Sequence, residues 1–362
     1  MQVDKGMIYV YRLFDIGMEV DLNKAIKILE KEKDVHHYQI KGARQSFFIR
    51  EMPIVISWES GISKVLGKNF EIGHIIKIWS FGSVSIQTIL KLPPNTSIKE
   101  IIALAQYFEN DQEFHQYLYQ ITKELFGIIQ DSINKPNIWE HFEDYIIYVF
   151  QEYSGEIFDK QGNISDDLVS MIFVEKIMNF SDQRKEEVAK HFIQYSTNDY
   201  AIIHWNSSLI IDNQDFADMA NIVEYALSQL LQLRYYDNLL DTQLSTLYQQ
   251  IEHFKPGIFS NPYIQMSNTA AQQYIELSEI IDKVGNAFKT TGDFYLATIY
   301  RSCTQKFYIN DWKNSVSGKL KNLAEVAKLF HGEINDKRGQ IMEIIIILLI
   351  TIEVIHIIFK IF

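Results

Sequence analysis

An α+β fold with a helical C-terminal region and a membrane-spanning end is the architecture this sequence predicts. Strand-like and helix-like patterns are interleaved over roughly the first 200 residues, and long helical periodicities take over from Asp215. Ile341 to Phe362 then close the chain as a nearly unbroken apolar run. These shifts divide the chain into an α+β domain over 1–200, a mainly helical region packed on it over 201–310, a juxtamembrane amphipathic helix over 311–340, and a transmembrane anchor over 341–362.

Met7 to Phe14 is rich in β-branched and aromatic residues and reads as a strand. Asp21 is placed to cap a helix carrying Ala25, Ile26, Ile28 and Leu29. Further strands are expected over Phe47–Arg50, Ile54–Trp58, His74–Ser80 and Val84–Leu92, with Gly82 turning the chain between the last two. Pro93-Pro94-Asn95 ends that run, and helices follow around Ile101–Ala105 and over Phe114–Ile129. Tyr145–Phe150 returns to strand, helical patterns resume after the loops at Gly155 and Gly162, and Ala201–Ile211 reads as a strand pair or as one strand with an irregular end.

From Asp215 a long helix runs to about Ile251, and Lys255-Pro256-Gly257 breaks it. Helices are expected again over Ser267–Phe288 and Phe294–Gln305. A last one begins near Asp311, with Val316, Leu320, Leu323, Ala327, Phe330 and Ile334 at coiled-coil spacing. That seam predicts self-association, although an amphipathic helix packed on its own domain has the same pattern.

The closing run is apolar from Ile341 to Phe359 except at Glu343, Thr351, Glu353 and His356. A helix of that length spans about 30 Å, the thickness of a bilayer's hydrocarbon. A tail anchor is therefore expected, in contact with membrane lipid. Lys337 and Arg338 precede the run and only Lys360 lies near its far end, which places the N-terminal part in the cytoplasm. The first residues carry no secretory signal pattern, and the single cysteine, Cys303, excludes an internal disulfide. Glu353, His356 and Lys360 share one helix face, so this polar stripe favours pairing with a second copy or a membrane partner.

With 47% apolar residues and six prolines the remainder is a folded protein, and a net charge of −12 makes direct nucleic-acid binding a poor match. No cofactor or metal motif appears. Gly61-Ile62-Ser63-Lys64-Val65-Leu66-Gly67-Lys68-Asn69 imitates a P-loop, but its glycines are one residue too far apart and Asn69 replaces the magnesium-binding hydroxyl. His36-His37 and Trp139–Asp144 lack metal-site spacing, and Asp212, Asp215 and Asp218 suit a helix start.

One constellation stands out. Arg234, Asp237 and Asp241 share a helix face that begins apolar at Phe216, Ala220, Val223, Leu227 and Leu230. Two acids flanking a guanidinium predict a polar network, or a ligand site together with Tyr235, Tyr236, Trp205 and the nearby His204.

Trp205-Asn206-Ser207-Ser208-Leu209-Ile210-Ile211-Asp212 and Leu231-Gln232-Leu233-Arg234-Tyr235-Tyr236-Asp237 resemble bacterial relatives of the "required for meiotic nuclear division" family. Ile78-Trp79-Ser80-Phe81-Gly82-Ser83-Val84 resembles its strand–Gly–strand element, though Ser83 and Ser85 depart from its hydrophobic run. The ending, with Met342-Glu343 and Ile352-Glu353, is similar to its acid-bearing span. The resemblance implies a membrane protein of a family without established enzyme activity, whose mitochondrial members are inner-membrane proteins connected with translation; tethering of ribosomes by this chain would be analogy of fold alone. The expectation is a membrane-anchored scaffold, a homo-oligomer with a further protein partner. The alternative is a membrane-tethered enzyme or ligand-binding protein working around Arg234.

Overall fold

The structure is a computed structural model that describes residues 1–31, 36–37, 47–49, 52–157, 164–194, 196, 199–212, 216–253, 262–286, 288–290 and 294–361. Its strands are β1 (Gln2–Asp15), β2 (Glu19–Val20), β3 (His36–His37), β4 (Phe47–Ile49), β5 (Ile54–Val65), β6 (Lys68–Ile78), β7 (Ser83–Lys91), β8 (Thr96–Ser97), β9 (Ile133–Asn134), β10 (Phe142–Ser154), β11 (Phe192–Ile193), β12 (Tyr200–Ile203), β13 (Ser207–Ile211) and β14 (Phe288–Thr290). The helices are α1 (Leu22–Leu29), α2 (Ile98–Asn110), α3 (Gln112–Ile129), α4 (Asp166–Phe173), α5 (Asp182–Ala189), α6 (Phe216–His253), α7 (Pro262–Asn286), α8 (Phe294–Lys306) and α9 (Ile309–Ile361). The expected α+β class holds: the sheet occupies the N-terminal part, and helices take over after β13.

Met1–Tyr235 and Asp282–Trp312 form one compact unit, and Tyr236–Ile281 with Lys313–Phe362 form a second. One boundary between these units falls inside α6, whose first half lies in the same unit as β12 and β13.

In the first unit a ten-stranded sheet has the order β11-β12-β13-β10-β1-β7-β6-β5-β3, with β8 pairing alongside β1. Only β10 and β13 run parallel among these described pairs. Alternation along β1 sends Ile8, Val10 and Phe14 into apolar clusters with residues of α1 to α4. The opposite face mixes buried apolar residues such as Leu13 and Ile147 with buried polar ones, and the start of α6 packs on it. There the Nε2 of Gln232 donates to Asp15 at 2.6 Å, and Lys77 pairs with the fully buried Glu224.

Local chemistry sets the boundaries. Asp21 accepts from the backbone N–H of Lys24 at 3.0 Å and opens α1, as expected. Ser97 and Glu100 form a reciprocal capping box on α2. The segment that imitates a P-loop is a β-hairpin: Leu66 and Gly67 turn between β5 and β6 at φ of 48° and 80°, the two positive values of a type I′ turn. Asp215, expected to cap α6, lies outside the described residues.

In the second unit α9 packs within its own chain. Val316, Leu320, Leu323, Phe330 and Ile334 are buried and Ala327 is half-buried. The Ser267 hydroxyl of α7 donates to the Ala327 carbonyl at 3.2 Å, and the Tyr263 ring stacks on Phe330. The heptad seam expected to join two copies thus has an intramolecular partner. Beyond it α9 continues unbroken through Gly332 and Gly339. It is the one helix among the described residues long and apolar enough to cross a membrane. Its most apolar window has a mean hydropathy of 2.7 and no buried residue.

Candidate functional site

The register of β10 creates the site. β10 pairs with β1 along nearly its whole length, whereas its ladder with β13 begins only at Ile146 opposite Ser207. Phe142 to Tyr145 therefore have a strand neighbour on one side only among the described residues. Arg12 of β1 lies opposite Asp144 and Leu13 lies opposite Glu143, so Asp144 and Glu143 project to different faces. A cavity of ≈ 160 Å³ opens at this edge, lined by Arg12, Glu109, Glu143, Asp144, Trp205, Asn206 and Arg234 with apolar Leu227 and Leu230.

Arg12 is only 2% exposed. Its guanidinium donates to the carbonyls of Tyr11 at 3.0 Å and Phe108 at 2.8 Å, and the rings of Phe114 and Phe142 flank it at 5.9 Å. Its Nε has no hydrogen-bond partner, and Nη1 lies 3.8 Å from Oδ2 of Asp144, an ion pair beyond hydrogen-bond reach. Burial lowers the Arg12 pKa, while Asp144 and Glu109 oppose that.

On the other face Arg234 of α6 bonds Glu143 and lies against the Trp312 ring. Burial pushes the Glu143 carboxyl up to about 7, the Arg234 charge opposes that, and Asp144 adds to it. Glu109 at the mouth is also raised, by burial and then by Asp144. The arrangement can hold donors and acceptors for a small polar molecule and can exchange a proton near neutrality.

Of the residues singled out in the sequence, Arg234 and Trp205 line this cavity. Tyr235 packs edge-on to Trp139, and Tyr236 is fully buried. Asp237 and Asp241 both bind Lys319, at 2.9 and 2.6 Å, within the second unit. Each of the three charges has a partner remote in sequence within its own unit. His204 packs on Phe173, and burial followed by the Lys306 charge lowers its pKa to about 4. Glu353 and His356 are exposed on the apolar end of α9, and the side chain of Lys360 lies outside the described residues. Among the described residues no three His, Cys, Asp or Glu side chains are grouped to hold a metal ion.

Sequence reading singled out neither Arg12 nor Glu109, and weighed Glu143 and Asp144 only as metal ligands within Trp139–Asp144. One signal was present: Arg12 interrupts Tyr9-Val10-Tyr11-Arg12-Leu13-Phe14 at a position whose alternation points into the core.

Residues 5–217 match the family described as "Uncharacterized protein MJ0711, N-terminal domain". The chain belongs to that family. The matched range ends just beyond β13, so the family domain includes the sheet and every lining charge named above except Arg234. The uncharacterized protein MJ0711 of Methanocaldococcus jannaschii is 26% identical over 257 residues, 70% of this chain and 77% of that relative. No solved structure matches. Nothing in these comparisons links the chain to the meiotic nuclear division family. The family signal starts within β1, in the first 70 residues, where the suspected resemblance had little to offer.

Proposed function

We propose that this is a single-span membrane protein whose C-terminal helix anchors the family domain at a bilayer surface, where it acts as a scaffold or tether. The observation that carries the reading is the end of α9: residues from Met342 to Ile358 project around the helix with large apolar side chains half-exposed. A soluble protein rarely leaves so large a contiguous apolar surface in water. Lys337 and Arg338 at its N-terminal side support a cytoplasmic location for the folded units. Tethering of the translation machinery is not part of this proposal, because it rested on a different family.

The test is extraction. Full-length protein should stay in the membrane pellet after an alkaline carbonate wash and enter solution with detergent, whereas a chain ending at Gly339 should be soluble without it. Full-length protein that is monodisperse in detergent-free buffer would overturn the anchor.

A second reading is supported by the buried, under-bonded Arg12 in the cavity beside β10. It makes the same domain a ligand-binding module, with the anchor confining it to the membrane.

A further inference from the structure

We propose that the cavity at the open edge of β10 binds a small zwitterion, a molecule with a carboxylate and a protonated amine a few bonds apart, as in a free α-amino acid. This rests on the second reading above and names its ligand.

Arg12 supplies the carboxylate half. Its side chain is held in place by two backbone carbonyls and two aromatic rings, so it does not swing out to water. Yet the Nε has no hydrogen-bond partner, and Asp144 approaches Nη1 at 3.8 Å. A buried donor of this kind is costly unless an acceptor fills the space beside it. A carboxylate oxygen is the acceptor that also answers the positive charge.

The amine half follows from the surrounding charge. Arg234 and Glu143 are engaged with each other. Glu109 and Asp144 remain, two acids lining the cavity beside the single Arg12 cation, and burial with the Asp144 charge raises the Glu109 carboxyl. An ammonium group between them relieves that repulsion. A simple carboxylate would meet Arg12 but also face both acids, and a simple amine would leave the Arg12 Nε unbonded. A molecule with both charges meets both conditions.

Size and walls narrow the choice. An engineered cavity of about 150 Å³ holds benzene, so the ≈ 160 Å³ here suits a ligand the size of alanine to valine. Leu227 and Leu230 offer an apolar wall for a short aliphatic side chain, and the half-exposed Trp205 stands at the mouth.

The experiment is calorimetric titration of full-length protein in mild detergent with glycine, alanine and valine, beside isobutylamine and isobutyrate as the half-ligands. At least one amino acid should bind no less than tenfold more tightly than either half-ligand. Glu109→Gln, on an exposed side chain that leaves the fold intact, should weaken the amino acid at least tenfold and leave isobutyrate unchanged or tighter. Arg12→Lys keeps the charge without the Nε donor and should weaken amino acid and isobutyrate alike. Equal binding of isobutylamine and the amino acids would overturn the zwitterion while preserving a ligand site. No heat from any probe, or a Glu109→Gln protein with unchanged affinity, would overturn the site itself.

Discussion

At Gly82 the turn between β6 and β7 touches the first unit's core directly. The residue sits at φ +90°, its carbonyl accepts from Ile16 at 2.9 Å, and a Cβ there would lie 1.8 Å from the Gly17 carbonyl oxygen. Both strain and clash oppose any side chain, so Gly82→Ala should cost about 3 kcal/mol or more in a denaturant titration. Glu143 sets a second expectation. Its folded pKa of about 7 stands above the ordinary 4.5, so between these values the native state keeps a proton that the unfolded chain has released. Stability from this group is therefore fully present below about pH 4.5, falls as pH rises toward 7, and levels off beyond, a loss on the order of 2–3 kcal/mol. Glu143→Gln still accepts from Arg234 and cannot titrate, so its denaturation midpoint should decline less than the native protein's between pH 5 and 7.5. An identical decline in both proteins would place the titrating group elsewhere. The two residues differ in legibility: the residue type of Gly82 marks a turn, whereas Glu143 shows in the sequence only within a stretch that lacks metal-site spacing.

Elements were more legible than their partners. The capping signal of Asp21, the long period of α6 and the run of α9 all follow from spacing, which depends on neighbours in sequence. What covers a face depends on residues far away. Arg234 finds Glu143 across 91 positions and Asp241 finds Lys319 across 78, so one helix face serves two units. The heptad of α9 was equally ambiguous, since a seam against α7 and a seam against a second copy require the same spacing. The β5–β6 hairpin shows the converse, a glycine-rich segment whose turn chemistry outweighs its motif. Leu66 occupies a left-handed position there and is half-exposed. Asn tolerates that conformation at the first place of a type I′ turn, so Leu66→Asn should gain about 0.5–1 kcal/mol. A lower melting temperature for this variant would mean that Leu66 is held by packing and not merely tolerated.

For the molecule as a whole, the apolar end was legible from composition because membrane insertion is read almost entirely by summed hydrophobicity. The cavity was only half legible, through Arg234 and Trp205, because its other charges meet by strand register. Self-association belongs to this scale, and the fold narrows where it can arise. With the heptad residues Val316 to Ile334 packed inside the chain, the largest exposed apolar surface on α9 is its end, Met342 to Ile358. An acid near the centre of a lipid-facing helix costs about 2.5–3.5 kcal/mol by insertion scales. Glu353 and His356 lie at i and i+3, so in a parallel pair each Glu353 can reach the His356 of a second copy and recover part of that cost. The proposed scaffold thus predicts that full-length protein in mild detergent is an oligomer and that Glu353→Leu, which should insert at least as well, is a monomer. A chain ending at Gly339 should be monomeric as well. An unchanged oligomer in Glu353→Leu would remove the polar stripe as the assembly device, and a monomeric full-length protein would remove self-association from the proposed function altogether.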